Sequence, residues 1–163
     1  MKSLGLITDG TTSRRAFCQQ ACHAASLAAL GILLPGCGGN PTGPSGMGAP
    51  SLPTLSSSIA GGIFTLTIDA SSPLNTVGNA ALVTASGRQF LVARTGQDAF
   101  TALTAICTHQ NCTITGFESG QYVCPCHGSH YTTAGAVVSG PAPRSLQTFG
   151  TSFNAGILTV ATG

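Results

Sequence analysis

The chain is poor in charge, lacks tryptophan and has no long apolar run. Of its 163 residues only 6 are Lys or Arg and 4 are Asp or Glu. No basic stripe exists, which argues against a nucleic-acid partner. The main apolar stretch, Ala24 to Leu34, holds about 11 residues, short of the ~20 that cross a bilayer. No segment of convincing length carries a helical period and no internal repeat is visible, so neither a helix bundle nor a repeat array is expected. What the chain does have is 22 Gly and 9 Pro among short β-branched runs, the composition of a β-rich fold with many turns.

Charge placement divides the chain. Lys2, Arg14 and Arg15 lie near the start with Asp9, whereas beyond Cys37 three arginines (Arg88, Arg94, Arg144) face three carboxylates (Asp69, Asp98, Glu118). The later region is formally neutral, and its weak net charge implies little long-range steering. Residues 1–37 read as a leader. Ser13-Arg14-Arg15-Ala16-Phe17 resembles a twin-arginine export signal, although Cys18 and Gln19 depart from its last two positions; the alternative is the basic start of an ordinary secretory signal. Twin-arginine systems move folded proteins, as a protein loaded with a cofactor in the cytoplasm requires. Leu34-Pro35-Gly36-Cys37 resembles a lipobox, which would make Cys37 a lipidation site and tether the protein to a membrane. Plain cleavage and an uncleaved anchor are the alternatives. Cys18 and Cys22 are read as carrying no chemistry. Residues 38–58, rich in Gly, Pro and Ser and without charge, read as a flexible linker that would span about 25 Å; it serves either as a leash or as a spacer.

Residues 59–163 read as an all-β head of eight to ten short antiparallel strands, a small sandwich or barrel. Ile63 to Ile68 alternates apolar and hydroxyl residues, the period of a half-buried strand. Ala81 to Ala85 and Gln89 to Arg94 flank Ser86-Gly87-Arg88 as a hairpin. Strands are expected over Phe100 to Ile106 and Gln121 to Cys124, and a closing hairpin over Leu146 to Phe153 and Gly156 to Ala161.

Two of these strands run into Cys/His clusters, C-T-H-Q-N-C at 107–112 and C-P-C-H-G-S-H-Y at 124–131. Each offers a thiolate and an imidazole: Cys107 with His109, and Cys124 with His127. Cys112 and Cys126 stand beside these pairs. Three chemistries suit such residues: two structural disulfides with incidental histidines, a zinc site of two Cys and two His, or a 2Fe-2S cluster with two cysteines on one iron and two histidines on the other.

The order and spacing resemble the Rieske 2Fe-2S family. C-T-H-Q-N-C is similar to its first box, C-x-H-x-x-C, and C-P-C-H-G-S-H-Y to its second, C-x-C-H-x-S-x-Y. Gly140-Pro141-Ala142-Pro143 resembles its proline loop. The resemblance implies one 2Fe-2S cluster, with Cys107 and Cys124 on the inner iron and His109 and His127 on the outer. It also implies a disulfide between Cys112 and Cys126, a lid formed by the proline loop, and two tuning donors, the hydroxyls of Ser129 and Tyr131. His130 is read as a solvated loop residue. Neutral imidazoles place the potential in the range of about −150 to +300 mV, and donors to sulfur raise it further. Both donors together resemble the high-potential subunits of quinol:cytochrome c oxidoreductases. In those proteins the residues after the first ligand histidine are commonly Leu-Gly, whereas here they are Gln110-Asn111.

The expectation is therefore an exported, membrane-tethered electron-transfer protein on the periplasmic face, with no catalytic residue of its own. It would take an electron and a proton on the quinol side and pass the electron to a c-type cytochrome. Alternatives are a stand-alone periplasmic carrier, the small subunit of a molybdenum oxidoreductase such as arsenite oxidase, and, from another class, a non-redox zinc module.

Overall fold

A computed structural model describes residues 48–163 of the chain. The signal, the lipobox with Cys37 and the first part of the linker lie outside the described residues. Within them the secondary structure is twelve short strands: β1 (Thr54–Ser57), β2 (Ile63–Thr67), β3 (Ala80–Ala85), β4 (Arg88–Arg94), β5 (Phe100–Thr104), β6 (Gly116–Glu118), β7 (Gln121–Val123), β8 (His130–Thr132), β9 (Val137–Ser139), β10 (Thr148–Phe149), β11 (Thr151–Asn154) and β12 (Ile157–Ala161). No helix long and apolar enough to cross a membrane occurs among the described residues.

The strands form three sheets, in the orders β1-β3-β4-β5-β10, β11-β12-β2 and β6-β7-β8-β9. The five-stranded sheet is the middle layer, and its sequence shows why. Strands buried on both faces read as continuous apolar runs rather than alternating ones, as Ala80-Ala81-Leu82-Val83 and Phe90-Leu91-Val92-Ala93 do. Ala81, Val83, Phe90, Val92 and Ala102 turn to one face, where they meet Phe64 and Leu66 of β2 and Leu158 and Val160 of β12. Leu82, Leu91, Leu103 and Ala105 turn to the other, where they meet Ile114, Tyr122, Tyr131, Cys107 and Cys124. The second core thus includes the two free thiols of the described residues, Cys107 and Cys124. Strand β2 alternates exposed and buried as its period of two requires, and burying each of its large apolar side chains contributes about 1.5–3 kcal/mol. Phe90 ties the first core together, its ring centroid 5.0 Å from Phe64 and 5.1 Å from Phe149.

The hairpin at Ser86-Gly87 is present, with φ of 46° and 80° at the two turn residues, the paired positive values that match the twist of adjoining strands. Two expectations need correction. The linker does not extend to residue 58. Leu52 N bonds Thr115 O at 2.7 Å and Phe117 N bonds Pro50 O at 2.9 Å, and β1 then pairs with β3 in parallel, against an expectation of antiparallel strands throughout. Leu52 is buried in the second core and Leu55 packs against the first; these apolar anchors and the backbone bonds hold a segment whose Gly, Pro and Ser content suggested a coil. The stretch Leu146 to Phe153 is likewise not one arm of a hairpin. It breaks at Gly150, β10 pairing with β5 and β11 with β12, so the chain changes sheets there.

Arg94 is buried with no carboxylate partner among the described residues. Its guanidinium donates to the carbonyls of Leu74, Asn75, Gly96 and Gln97 and lies 5.4 Å from the Phe100 ring centroid. Four carbonyl dipoles replace the lost hydration of the charge, and in return they fix the β4–β5 turn and the loop before β3.

Candidate metal centre

Cys107 and Cys124 open two loops of the same backbone design. Cys107 N donates to Cys112 O at 2.8 Å and Asn111 N to Cys107 O at 3.0 Å; Cys124 N donates to Ser129 O at 2.9 Å and Gly128 N to Cys124 O at 3.0 Å. Each cysteine therefore starts a four-residue loop closed by the same pair of bonds. The last residue of each loop is left-handed, Asn111 with φ 58° and Gly128 with φ 67°. Asn tolerates that conformation better than other residues with a β-carbon. The strands that carry the loops, β5 and β7, set both thiols into the second core, each residue 1% exposed.

The histidines lie further out, His109 half-buried and His127 exposed, with ring centroids 4.6 Å apart and planes nearly perpendicular. A disulfide between Cys112 and Cys126 ties one loop to the other, while Cys107 and Cys124 are free thiols. That pairing rules out two structural disulfides built from the four cysteines.

Tyr131, Thr108 and the proline loop form one hydrogen-bonded unit around Cys107. Tyr131 Oη is 3.3 Å from Cys107 Sγ and accepts from Thr108 N at 3.3 Å. Thr108 Oγ1 donates to Arg144 O at 2.7 Å, so its lone pairs, like Cys107 Sγ, are open to the phenol proton across 3.2 Å. Thr108 was not singled out from the sequence; its place between the first two ligand candidates was the available signal. Gly140 lies against the second loop. A β-carbon there would be 2.6 Å from Ser129 Cα and 2.7 Å from Gly128 O, so only Gly permits this approach. Ala142 is buried behind it. His130 is not a loop residue but a half-buried member of β8, paired with Val123 and Ser139.

The two thiols differ in acidity. Burial raises the Cys107 thiol, but the Tyr131 hydroxyl and the His109 backbone N–H outweigh it and bring the group below its ordinary value. Burial, followed by the neighbouring Cys107, pushes the Cys124 thiol up. Burial and the Cys107 sulfur raise the Tyr131 phenol, which keeps it protonated and able to donate.

Two unpartnered atoms test whether an inorganic group fits here. His109 Nδ1 and Ser129 Oγ are buried without any hydrogen-bond partner, and an unmet buried polar atom costs about 1–3 kcal/mol. Both belong to the loops that hold the thiols, and a metal at the imidazole nitrogen with a sulfide near the hydroxyl would satisfy them. A third such atom, Tyr122 Oη, lies in the same core, and nothing in the structure accounts for it. Among the described residues no three His, Cys, Asp or Glu side chains converge on one ion position, as a four-ligand zinc would need. The donors fall instead into a sulfur pair and an imidazole pair, the ligand division of a two-iron cluster with thiolate on one iron and imidazole on the other.

The Rieske [2Fe-2S] domain model matches residues 65–150, more than half of the chain. The chain belongs to this family, and its cofactor is one 2Fe-2S cluster. It is 53% identical over 55 residues to the cytochrome b6-f complex iron-sulfur subunit of Prochlorococcus marinus, a match covering 31% of this chain and 30% of that protein. It is 52% identical over 44 residues to the ubiquinol-cytochrome c reductase iron-sulfur subunit of Rhodobacter capsulatus, covering 25% and 23%. The matches thus span less than a third of either relative. Naphthalene 1,2-dioxygenase with indole bound shares the fold, at 16% identity and a TM-score of 0.51, over 61% of this chain and 26% of that one.

Proposed function

We propose that this Rieske-type electron-transfer protein accepts an electron, with a proton, on the quinol side of a membrane complex and hands the electron to a c-type cytochrome. When bound, the 2Fe-2S cluster supplies one-electron uptake and release at a raised potential. Cys107 and Cys124 would hold it from the dry side, His109 and His127 from the solvent side. The buried, unpartnered Nδ1 of His109 would hold the metal and leave the other ring nitrogen for proton exchange, with the exposed His127 ring beside it.

The observation that carries the reading is the pair of donors at the sulfur side: Tyr131 Oη at 3.3 Å from Cys107 Sγ and the buried, unpartnered Ser129 Oγ. Donors aimed at sulfur stabilise the added negative charge and raise the potential, as an acceptor of quinol electrons requires. The similarity to two quinol-complex subunits supports it. The disulfide between the loops suits an oxidising compartment, in line with twin-arginine export, a periplasmic location and tethering through Cys37 or an uncleaved anchor.

A second reading, a stand-alone carrier or the small subunit of a molybdenum oxidoreductase, is favoured by the tip, where Gln110 and Asn111 are both exposed and offer a polar rather than an apolar contact to a quinol site. Purification from membranes in mild detergent separates the two. Recovery of b-type and c-type haem with the protein is the expected result; recovery of a molybdenum cofactor instead would transfer the assignment to the second reading. The reduced protein should also give a Rieske-type electron paramagnetic resonance signal. A colourless protein with one zinc per chain would overturn both.

A further inference from the structure

The head is formally neutral, yet its charges are sorted. Arg94 is buried and spends its guanidinium on backbone carbonyls, which leaves Arg88 and Arg144 as the exposed cations among the described residues. Both lie, by their backbones, at the strand and loop ends that lead to the first loop, the Arg88 guanidinium on the Phe90 face of the middle sheet. Arg88 begins β4, and the next residue's carbonyl accepts from Ala105 N at 3.2 Å, where β5 runs into the first loop. Arg144 follows the proline loop, its carbonyl held by Thr108 of the first loop. The carboxylates sit elsewhere. Asp98 is in the β4–β5 turn, at the other end of a seven-residue strand and so about 20 Å away. Asp69 follows β2 at the end opposite the one that meets Thr162, the residue Arg88 reaches. Glu118 is at the β6–β7 turn, where the opposite strand end feeds Cys124.

Arg88 is also fixed in place. Its guanidinium carbon lies 5.1 Å from the Phe90 ring centroid and 5.9 Å from that of Phe149, and Nη1 donates to Thr162 O at 3.1 Å. It lines a cleft of about 250 Å³ with Gln89, Thr104, Ile106, Gln147 and Phe149. Ile106, the residue before Cys107, is 39% exposed in that cleft. An oriented arginine beside an exposed apolar side chain is a pre-organised carboxylate seat, because little side-chain entropy is lost on binding.

We propose that the cluster end is a docking face for a redox partner whose own electron-exchanging surface is ringed by acidic side chains, with a partner carboxylate seated on Arg88 and a second attracted by Arg144. The proposal rests on the electron-transfer reading and adds the sign of the partner's surface. The segment 144–147 joins the two cations, running from the proline loop to the cleft. A head with its positive end at the cluster turns that end toward a negative surface before contact, which net charge alone would not do.

The test is oxidation of the reduced holoprotein by an acidic and by a basic c-type cytochrome in stopped flow, together with calorimetric binding of each at low salt. The rate with the acidic cytochrome should fall about tenfold between about 10 and 200 mM salt, as the screening length shortens from about 30 to below 10 Å. Arg88→Gln and Arg144→Gln should each lower the low-salt rate roughly threefold or more, and Arg88→Lys, which keeps the charge, should restore the salt dependence. Arg144→Gln should leave the melting temperature unchanged. Equal salt dependence for the two cytochromes, or unaltered rates and binding in both glutamine variants, would overturn the docking face. Binding of the acidic cytochrome without electron transfer would sink the electron-transfer reading and leave the docking face standing.

Discussion

At the scale of single residues, the site depends on which atoms are left without protein partners and which are shared. Ser129 Oγ has none, and Tyr131 Oη stands between Cys107 Sγ and Thr108. Ser129→Ala and Tyr131→Phe should each lower the reduction potential, measured by redox titration of the visible spectrum. A bond to a charged acceptor contributes about 1.5–3 kcal/mol and tenfold in a one-electron equilibrium is 59 mV, so each loss should be roughly 60 mV and at most about 130 mV. Unchanged potentials would remove the argument for a quinol-side acceptor. The spacing of Cys107, His109, Cys124 and His127 was legible in the sequence, because each pair is local. The hydrogen bond from Thr108 to the Arg144 carbonyl, 36 residues on, was not, because an ordinary Thr in a polar loop carries no sign of a distant partner.

At the scale of elements, two matched loops and a third that presses on them make the site. Gly140→Ala would force a β-carbon into the Ser129 backbone at 2.6 Å and hold a φ of +90° that side chains rarely adopt. It should lower the melting temperature by several degrees and reduce cluster content, read from visible absorption per chain; a fully loaded variant of wild-type stability would show that the proline loop can lift away at no cost. The Cys112–Cys126 bridge closes a loop of 14 residues, for which chain entropy predicts about 3 kcal/mol. Replacing both cysteines by Ser should remove stability of that order in thermal or denaturant unfolding. Strands β2, β3, β4 and β5 were readable from their alternation or apolar runs. β6, β8 and β9 hold three residues each, too few for any period to emerge, and they are defined by their pairing around β7.

At the scale of the whole molecule, the five-stranded sheet separates two cores with different duties. One, around Phe64, Phe90 and Leu158, holds the sheets together; the other includes Cys107, Cys124 and Tyr131. Leu158→Ala should therefore destabilise the fold by about 2–5 kcal/mol, seen as a lower melting temperature, while the reduction potential stays at its wild-type value. A shift in potential comparable to that of Ser129→Ala would mean that the sheet transmits packing changes to the cluster. Formal neutrality suggested little electrostatic steering, but the fold places the exposed arginines at one end and the carboxylates at the others. Net charge is a sum over residues, and a dipole needs their positions.

The sequence by itself determined the two Cys/His boxes, the β class and the apolar middle strands, since these depend on neighbours a few residues apart. Tertiary structure alone decided the rest. The Gly, Pro and Ser segment before residue 58 folds because Leu52 finds a core and β1 finds the edge of β3, partners some 28 residues further on. The stretch at Gly150 serves two sheets because each of its halves has a different neighbour. Which end of a neutral head is positive followed from strand direction, which no local pattern records.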